Sequence, residues 1–241
     1  MAAVMTPGLC LSLAAAGLAP SQAAAQERAL PSQEGAPSAA PPQVRPFTAL
    51  HPKRARFLGT PASGSERQVA DWVVDSEDNR SLPFAIVDKK DAKVSVFDAR
   101  GQLLGAAPAL VGLAYGDDTV PGIGTRPLSK IRPEERTTPA GRFVASLGRD
   151  LGKLDVLWVG YDDGISLHRV IKGTAKEHRG QRLATPTPLD NRISFGCINV
   201  PGEFFDRIVD PAFTGTNGIV YILPDIKTMR EAFPAYYDVE E

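Results

Sequence analysis

Short segments rich in β-branched and aromatic residues, separated by turn signals, constrain the fold of this chain most strongly. Such segments are typical of strands, and the runs Asp162-Asp163-Gly164 and Thr216-Asn217-Gly218 are typical of the turns between strands. Ser65, with Gln68 three residues later, resembles a capping box and predicts one short helix over residues 65–75. We therefore expect a mainly β domain, a β-sandwich or barrel-like fold with a few short helices. The segments that we predict as strands are 84–87, 94–97, 103–111, 142–145, 156–159, 165–168 and 219–223.

Composition and charge exclude several classes of protein. The chain is 43% apolar and 23% charged, which is ordinary for a globular protein and excludes collagenous, coiled-coil and wholly disordered chains. Its 27 Lys and Arg nearly balance 28 Asp and Glu, for a net charge of -1. Because a nucleic-acid-binding surface is usually strongly basic, we expect no nucleic-acid partner.

The first 48 residues carry targeting and spacing signals instead of a core. Residues 1–25 have no charged side chain, and their apolar run is too short to span a bilayer and ends in an A-x-A cleavage pattern. We interpret them as a signal peptide, so that the mature protein is exported, periplasmic or cell-wall associated, and at most peripheral to a membrane. Residues 26–48 are rich in Pro and Ala and predict an extended linker.

One cysteine remains once the signal peptide is removed. Cys10 lies within that peptide, so the mature chain holds Cys197 and forms no internal disulfide. Gly196 before it permits a tight turn, while Pro201 and Glu203 after it suit the start of a helix. We expect the thiol beside a helix N-terminus, which would favour the thiolate. The alternative is that Cys197 is a buried small hydrophobic residue.

A nucleophilic thiol needs a base, and three histidines are available. His51 precedes the predicted core, and His178 lies in a polar run typical of a solvated loop. His168 ends a predicted strand in which Ser166 points to the same side, so a rigid element positions its ring. We predict His168 as the base for Cys197, against the alternative of a structural strand histidine. The histidines and acids show no metal-ligand spacing, so we expect neither metal nor cofactor.

The order of these residues resembles a known family. His168 precedes Ser194-Phe195-Gly196-Cys197-Ile198-Asn199, and Thr138-Pro139-Ala140-Gly141-Arg142-Phe143 resembles a Thr-Pro-x-Gly-x-Phe segment. Over residues 82–224 the chain resembles the catalytic domain of the L,D-transpeptidase family (YkuD-type). The resemblance implies a mostly β fold, peptidoglycan stem peptides as substrate and a cysteine acyl-enzyme. Residues 49–81 are then an N-terminal extension with the short helix, and 225–241 a C-terminal tail.

The remaining residues of the site receive supporting roles. The backbone N–H groups of Gly196 and Cys197 are candidates for holding an oxyanion. Ser194, Arg192 and Asn199 are expected to support the site. Phe195, which stands where the family carries His, and the loop cations Arg126 and Arg136 are candidates for substrate binding.

Two long loops are expected to lie near the site, and three functions other than transpeptidation are considered. The loop 116–136 is either solvated or a lid whose cations meet peptide carboxylates, and 178–191 is expected to form one wall of the cleft. The same site would be an L,D-carboxypeptidase if water resolved the acyl-enzyme. A catalytically weak cell-wall-binding module is the alternative outside enzymes. A papain-like protease would place Cys before His, the reverse of the order here.

Overall fold

Strands in two sheets dominate the structure, a computed structural model that describes residues 52–150, 152 and 154–240. The predicted signal peptide, the linker 26–48, Cys10 and His51 lie outside these residues. The mainly β prediction is confirmed. The strands are β1 Phe84–Asp88, β2 Lys93–Phe97, β3 Leu103–Pro108, β4 Val111–Gly112, β5 Gly141–Arg149, β6 Asp155–Gly160, β7 Ile165–Arg169, β8 Arg192–Ser194, β9 Ile198–Val200 and β10 Gly218–Ile222.

The eight-stranded sheet has the order β3-β2-β1-β10-β5-β6-β7-β9, and β4 pairs with β8 in a separate two-stranded sheet. Most neighbours are antiparallel, but β1 pairs with β10, β7 with β9 and β4 with β8 in parallel. Beyond the edge strand β3, Leu110 and Asn199 exchange backbone hydrogen bonds of 2.8 and 2.9 Å. This bridge links the far edge, β9, to the segment after β3, so the sheet is nearly closed and barrel-like.

The sheet is covered on both faces, which explains why its strands read as continuous apolar runs. Ala85 and Val87 of β1 face a cluster that includes Phe205, whereas Phe84 and Ile86 face a second cluster with helix α1, Gly64–Ser76. Alternate residues of one strand therefore enter different cores. At the other end of the sheet, β7 carries His168, and β9 begins directly after Cys197.

The helices are short, as predicted, but the first one is capped by a different serine from the one expected. Ser63, not Ser65, caps α1, since its Oγ accepts the Glu66 N–H at 3.0 Å. The others are α2 Arg179–Ala184, α3 Gly202–Phe204, a π-helical turn Phe205–Val209 that continues into α4 Asp210–Phe213, and α5 Met229–Ala232. No helix in the part of the chain described here is long and apolar enough to cross a membrane.

Two strand predictions need correction in detail. The predicted strand 103–111 is two strands, because β3 ends at Pro108 and β4 begins at Val111. The predicted strand 142–145 extends to Arg149 in a long hairpin with β6. The strands β8 and β9 were not predicted, and they flank the cysteine.

Candidate active site

A cleft of about 670 Å³ opens beside the thiol. Its floor includes Cys197, His168 and Ser166, while Trp158 and Arg126 lie on its walls. The remaining lining residues are Gly124, Pro127, Leu128, Asp150, Gly152, Leu154, Asp155, Val156, Gly164, Arg169, Val170 and Ile171. Its walls are mostly apolar with a few charged groups, which is typical of a pocket that binds small ligands or peptides.

Strand register places Cys197 next to the predicted base. The parallel pair β7–β9 aligns Leu167 with Ile198 and His168 with Asn199. One position back along both strands, Cys197 therefore stands across from Ser166. Because side chains two apart on a strand share a face, Ser166 and His168 both point toward the thiol.

The thiol lies among polar groups of β7 and the turn before it. Ser166 Oγ–H donates to Cys197 Sγ at 3.7 Å, and Cys197 S–H donates to the carbonyl oxygen of Gly164 at 3.4 Å. Cys197 is half-buried and Ser166 is buried. Polar neighbours of this kind are what the prediction of a reactive thiol expects.

Cys197 and His168 shift each other's pKa toward an ion pair. Burial alone would raise the pKa of Cys197, but the hydrogen bond and charge of His168, with the hydrogen bonds of Ser166, lower it. Burial alone would lower the pKa of His168, but the hydrogen bond and charge of Cys197 raise it. Both shifts are in the direction of a thiolate–imidazolium pair, the form in which a cysteine acts as a nucleophile.

A backbone carbonyl orients the imidazole. His168 Nδ1 lies 2.7 Å from the carbonyl oxygen of Arg169. Since a carbonyl only accepts, Nδ1 carries a proton in this contact, and Nε2 is left for the thiol.

The expectation of a helix N-terminus beside the thiol is wrong. The strand β9 intervenes between Cys197 and Gly202, where α3 begins. A three-residue strand spans about 10 Å, whereas the field of a helix terminus is strong only near its first turn. The groups that lower the pKa of Cys197 are His168 and Ser166.

Ser194 and Gly196 shape the turn before the thiol. Gly196 has φ +129°, and a Cβ there would lie 2.7 Å from the carbonyl oxygen of Thr137. Ser194 Oγ accepts the Gly196 N–H at 3.0 Å and donates to the Cys197 carbonyl oxygen at 2.6 Å. The Gly196 N–H is therefore occupied. Among the described residues, no acceptor takes the Cys197 N–H, so that group remains the better candidate for an oxyanion.

A buried charge network holds the same turn from behind. Thr138 Oγ1 donates to the Gly196 carbonyl oxygen at 2.7 Å, and the fully buried Lys89 donates to the Thr138 carbonyl oxygen at 2.9 Å. Lys89 also bonds Asp117 at 2.8 Å, which accepts the backbone N–H of Asp225 at 2.6 Å. The turn is thereby tied to segments far away in the sequence.

Asn199 and Arg192 contact backbone near the site and not the thiol itself. Asn199 Nδ2 donates to the Cys197 carbonyl oxygen at 3.2 Å, and its Oδ1 accepts from the buried Arg179 at 2.9 Å. Arg192 bonds Asp225 at 2.6 Å, and its guanidinium stacks 3.9 Å from the centre of the Tyr115 ring. Both arrange the strands that carry the turn.

The three candidates for substrate binding lie in different places. Arg126 lines the cleft, whereas Phe195 and Arg136 do not. The Arg136 guanidinium lies 3.9 Å from the centre of the Phe195 ring, a cation–π contact, and donates to the carbonyl oxygen of Ile131. Phe195 and Arg136 thus pack against each other beside the thiol turn.

The two loops contribute unequally to the cleft. Residues 124 and 126–128 of the loop 116–136 line the cleft. This loop packs closely on the β6–β7 turn, since there is no room for a side chain at Gly124: a Cβ there would lie 2.2 Å from the Asp162 carbonyl oxygen. The expectation for 178–191 is wrong, since none of these residues lines the cleft. Thr185–Pro188 lines a separate groove of about 340 Å³ with Thr60, Pro61 and β3.

Comparison with known proteins gives matches among solved structures alone. No protein-family model and no curated protein matches the chain. Similar structures include an L,D-transpeptidase from Mycobacterium smegmatis (16% identity, 58% of each chain covered, TM-score 0.34), one from Mycobacterium tuberculosis H37Rv (15%, 59% of this chain and 57% of that one, 0.37), and the helical cell shape determining protein Pgp2 from Campylobacter jejuni (15%, 61% and 49%, 0.41).

Many of these structures are L,D-transpeptidases. The chain spans about half to three fifths of the three solved chains named above.

Sequence reasoning missed Ser166, Thr138 and Lys89 as parts of the site. Ser166 could have been found, because it shares a strand face with His168 at two-residue spacing. Thr138 and Lys89 reach the site through contacts across 58 and 49 positions of the chain, which no local pattern reveals. In the described part of the chain, no three His, Cys, Asp or Glu side chains are grouped closely enough to hold a metal ion.

Proposed function

We propose that this protein is a cysteine-dependent L,D-transpeptidase that acts on peptidoglycan stem peptides through an acyl-enzyme on Cys197. The observation that carries the proposal is the convergence of His168 and Ser166 on a half-buried thiol in a 670 Å³ cleft. The substrate class comes from the family resemblance of the sequence around Cys197.

The first half of the reaction forms a thioester. The thiolate attacks the carbonyl carbon at the L-centre of residue three, and charge develops on the carbonyl oxygen near the Cys197 N–H. One such donor contributes roughly 3 kcal/mol in measured oxyanion holes. The C–N bond to D-Ala then breaks, and the imidazolium of His168 gives its proton to the leaving amine.

The second half returns the enzyme to its starting state. An amine of a neighbouring stem attacks the thioester, His168 takes its proton, and the thiolate leaves as the amide bond forms. With water in place of the amine, the product is the free acid and the enzyme acts as an L,D-carboxypeptidase. Ser166 supports both halves by donating a hydrogen bond from its hydroxyl group to the sulfur whenever the sulfur is negative.

Intact-mass measurement of the purified chain with a tetrapeptide stem tests this function. We expect a mass gain equal to the tripeptide acyl group on Cys197, and release of D-Ala, in the wild type but not in Cys197→Ala. His178→Ala is the matched control for His168→Ala, since His178 does not line the cleft.

The partition of products with and without an acceptor amine separates transpeptidase from carboxypeptidase. A folded wild type that binds the peptide but never acylates would identify a cell-wall-binding module and contradict the proposal. Undiminished release of D-Ala by Cys197→Ala would contradict the assignment of the nucleophile.

A further inference from the structure

Arg126, in the wall of the Cys197 cleft, has only one side of its guanidinium bonded. Its Nη1 donates to Glu135 at 3.1 Å. Its Nε and Nη2 are buried and have no hydrogen-bond acceptor within residues 52–150, 152 and 154–240. Leaving buried donors unpaired is unfavourable, and more so when the group is charged. An acceptor that reached these two atoms would recover that loss.

The two unpaired atoms define the chemistry of that acceptor. Nε and Nη2 lie on the same edge of the planar guanidinium, and their N–H bonds are nearly parallel. This is the geometry that matches both oxygens of one carboxylate in a bidentate pair. Glu135 already occupies the other side, so it fixes the orientation of the group.

The other cation of the cleft is already paired. Arg169 bonds Asp206 at 2.6 Å and the Asp155 carbonyl oxygen at 3.1 Å, and it stacks 4.3 Å from the centre of the Phe205 ring. Of the two arginines that line the cleft, Arg126 is therefore the one with unpaired N–H donors among the described residues.

Arg126 and Cys197 line the same cleft, and close contacts connect the loop of Arg126 to the thiol. Gly124, two residues earlier, packs so tightly on the β6–β7 turn that a Cβ on Gly164 would lie 3.3 Å from its Cα. Gly164 in turn accepts the Cys197 S–H at 3.4 Å. The acids that line the cleft, Asp150 and Asp155, belong to the β5–β6 hairpin and would repel a carboxylate placed beside them.

We propose that the Nε/Nη2 edge of Arg126 binds the terminal carboxylate of the residue that leaves when Cys197 is acylated. This inference rests on the proposed function and deepens it. Arg126 lines the cleft while its Nε and Nη2 atoms are buried, so the carboxylate reaches them when residues 126–128 shift outward. The site then selects peptides that end one residue beyond the scissile bond.

Binding of a tetrapeptide stem and of its C-terminal amide to the inert Cys197→Ala protein tests the inference without any reaction. We expect the acid to bind about 10- to 100-fold more tightly than the amide, because a charged hydrogen-bonded pair is lost in the amide. Arg126→Gln should abolish the difference by weakening the acid alone. Arg126→Lys should restore part of it, since lysine keeps the charge but not the bidentate edge.

Arg132→Gln is the matched control, because Arg132 also bonds Glu135 but does not line the cleft. It should leave the preference for the acid unchanged. Equal binding of acid and amide to Cys197→Ala, including absence of binding by both, overturns the inference. A preference for the acid that depends on Arg126, in a wild type that never forms a thioester, supports the carboxylate site and refutes the proposed reaction.

Discussion

Substituting Gly196 by Ala is the sharpest test of how the thiol turn is built. The residue has φ +129°, where L side chains are rarely found, and its new Cβ would lie 2.7 Å from the Thr137 carbonyl oxygen and 2.8 Å from Ile165 Cδ1. The backbone conformation costs about 1–3 kcal/mol, and relieving the overlap costs about 1–3 kcal/mol more. We expect the free energy of unfolding to fall by about 2–6 kcal/mol.

Urea unfolding at neutral pH measures this loss directly. For a domain of this size, the same change lowers Tm by roughly 2–4 °C per kcal/mol. Gly180→Ala in α2 is the matched control, because a Cβ there meets no atom within 4 Å. This control should be stabilised by about 0.5–1 kcal/mol, as alanine is favoured over glycine inside a helix.

The rate at which the thiol is alkylated gives a second readout on the same variant. If Gly196→Ala still folds, its turn must shift away from Thr137, and Cys197 moves with it relative to His168. Alkylation of the thiol should then slow even at temperatures where the variant is folded. A Gly196→Ala protein within about 1 kcal/mol of wild type, with an unchanged alkylation rate, would refute this account of the turn.

Substitutions at the thiol, its neighbours and the buried network should separate chemistry from folding. Cys197→Ala should abolish release of D-Ala while changing the free energy of unfolding by about 1 kcal/mol or less, as measured by urea unfolding. In wild type, the rate of iodoacetamide alkylation should reach its plateau below the usual thiol range near pH 8.5, because His168 lowers the pKa of Cys197. His168→Ala should move that midpoint upward and His178→Ala should not; equal shifts would mean that the base is wrongly assigned. Ser166→Ala should move it upward by less than His168→Ala does, and an unchanged profile would exclude a bond to the thiolate. Asp117→Asn should lower stability by about 3–5 kcal/mol at neutral pH, because it leaves the buried Lys89 and the mostly buried Arg192 with Asp225 as their one shared anionic partner within the described residues. Since the hydrogen bonds of Asp117 hold its pKa below the usual value despite its burial, the native carboxylate stabilises the fold above pH ~4 and loses that effect as pH falls further. The gap between wild type and Asp117→Asn should therefore narrow in acid, and urea unfolding as a function of pH checks it.

Strands buried on both faces were the easiest part to predict from the sequence. The runs 84–87 and 219–223 are apolar at every position, and 94–97 at every position but Ser95, because each face of the sheet has its own core. The residue pattern predicted that these segments are strands, but it did not predict their order in the sheet. The parallel pairing of β1 with β10 depends on contacts over more than 130 positions, which no local pattern encodes.

The short strands around the cysteine were missed for a physical reason. β8 and β9 have three residues each, too few for an alternation to be visible. Pro201 and Glu203 correctly indicated a helix, but β9 pairs with β7 first and moves that helix away from the thiol. The pairing of Cys197 with His168 followed from the residue types that a thiol nucleophile needs, whereas Ser166 required the register.

The central position of β10 has a consequence for how the chain reaches its native state. This strand, Gly218–Ile222, lies between β1 and β5. Both of these strands, and their other neighbours β2 and β6, are synthesised long before β10. Until Ile222 has left the ribosome, Phe84 and Phe143 lack the neighbour that joins the two halves of the sheet. Such high contact order makes folding slow and largely post-translational. A nascent chain would therefore remain in a form that can be threaded through a translocation channel until β10 has been made.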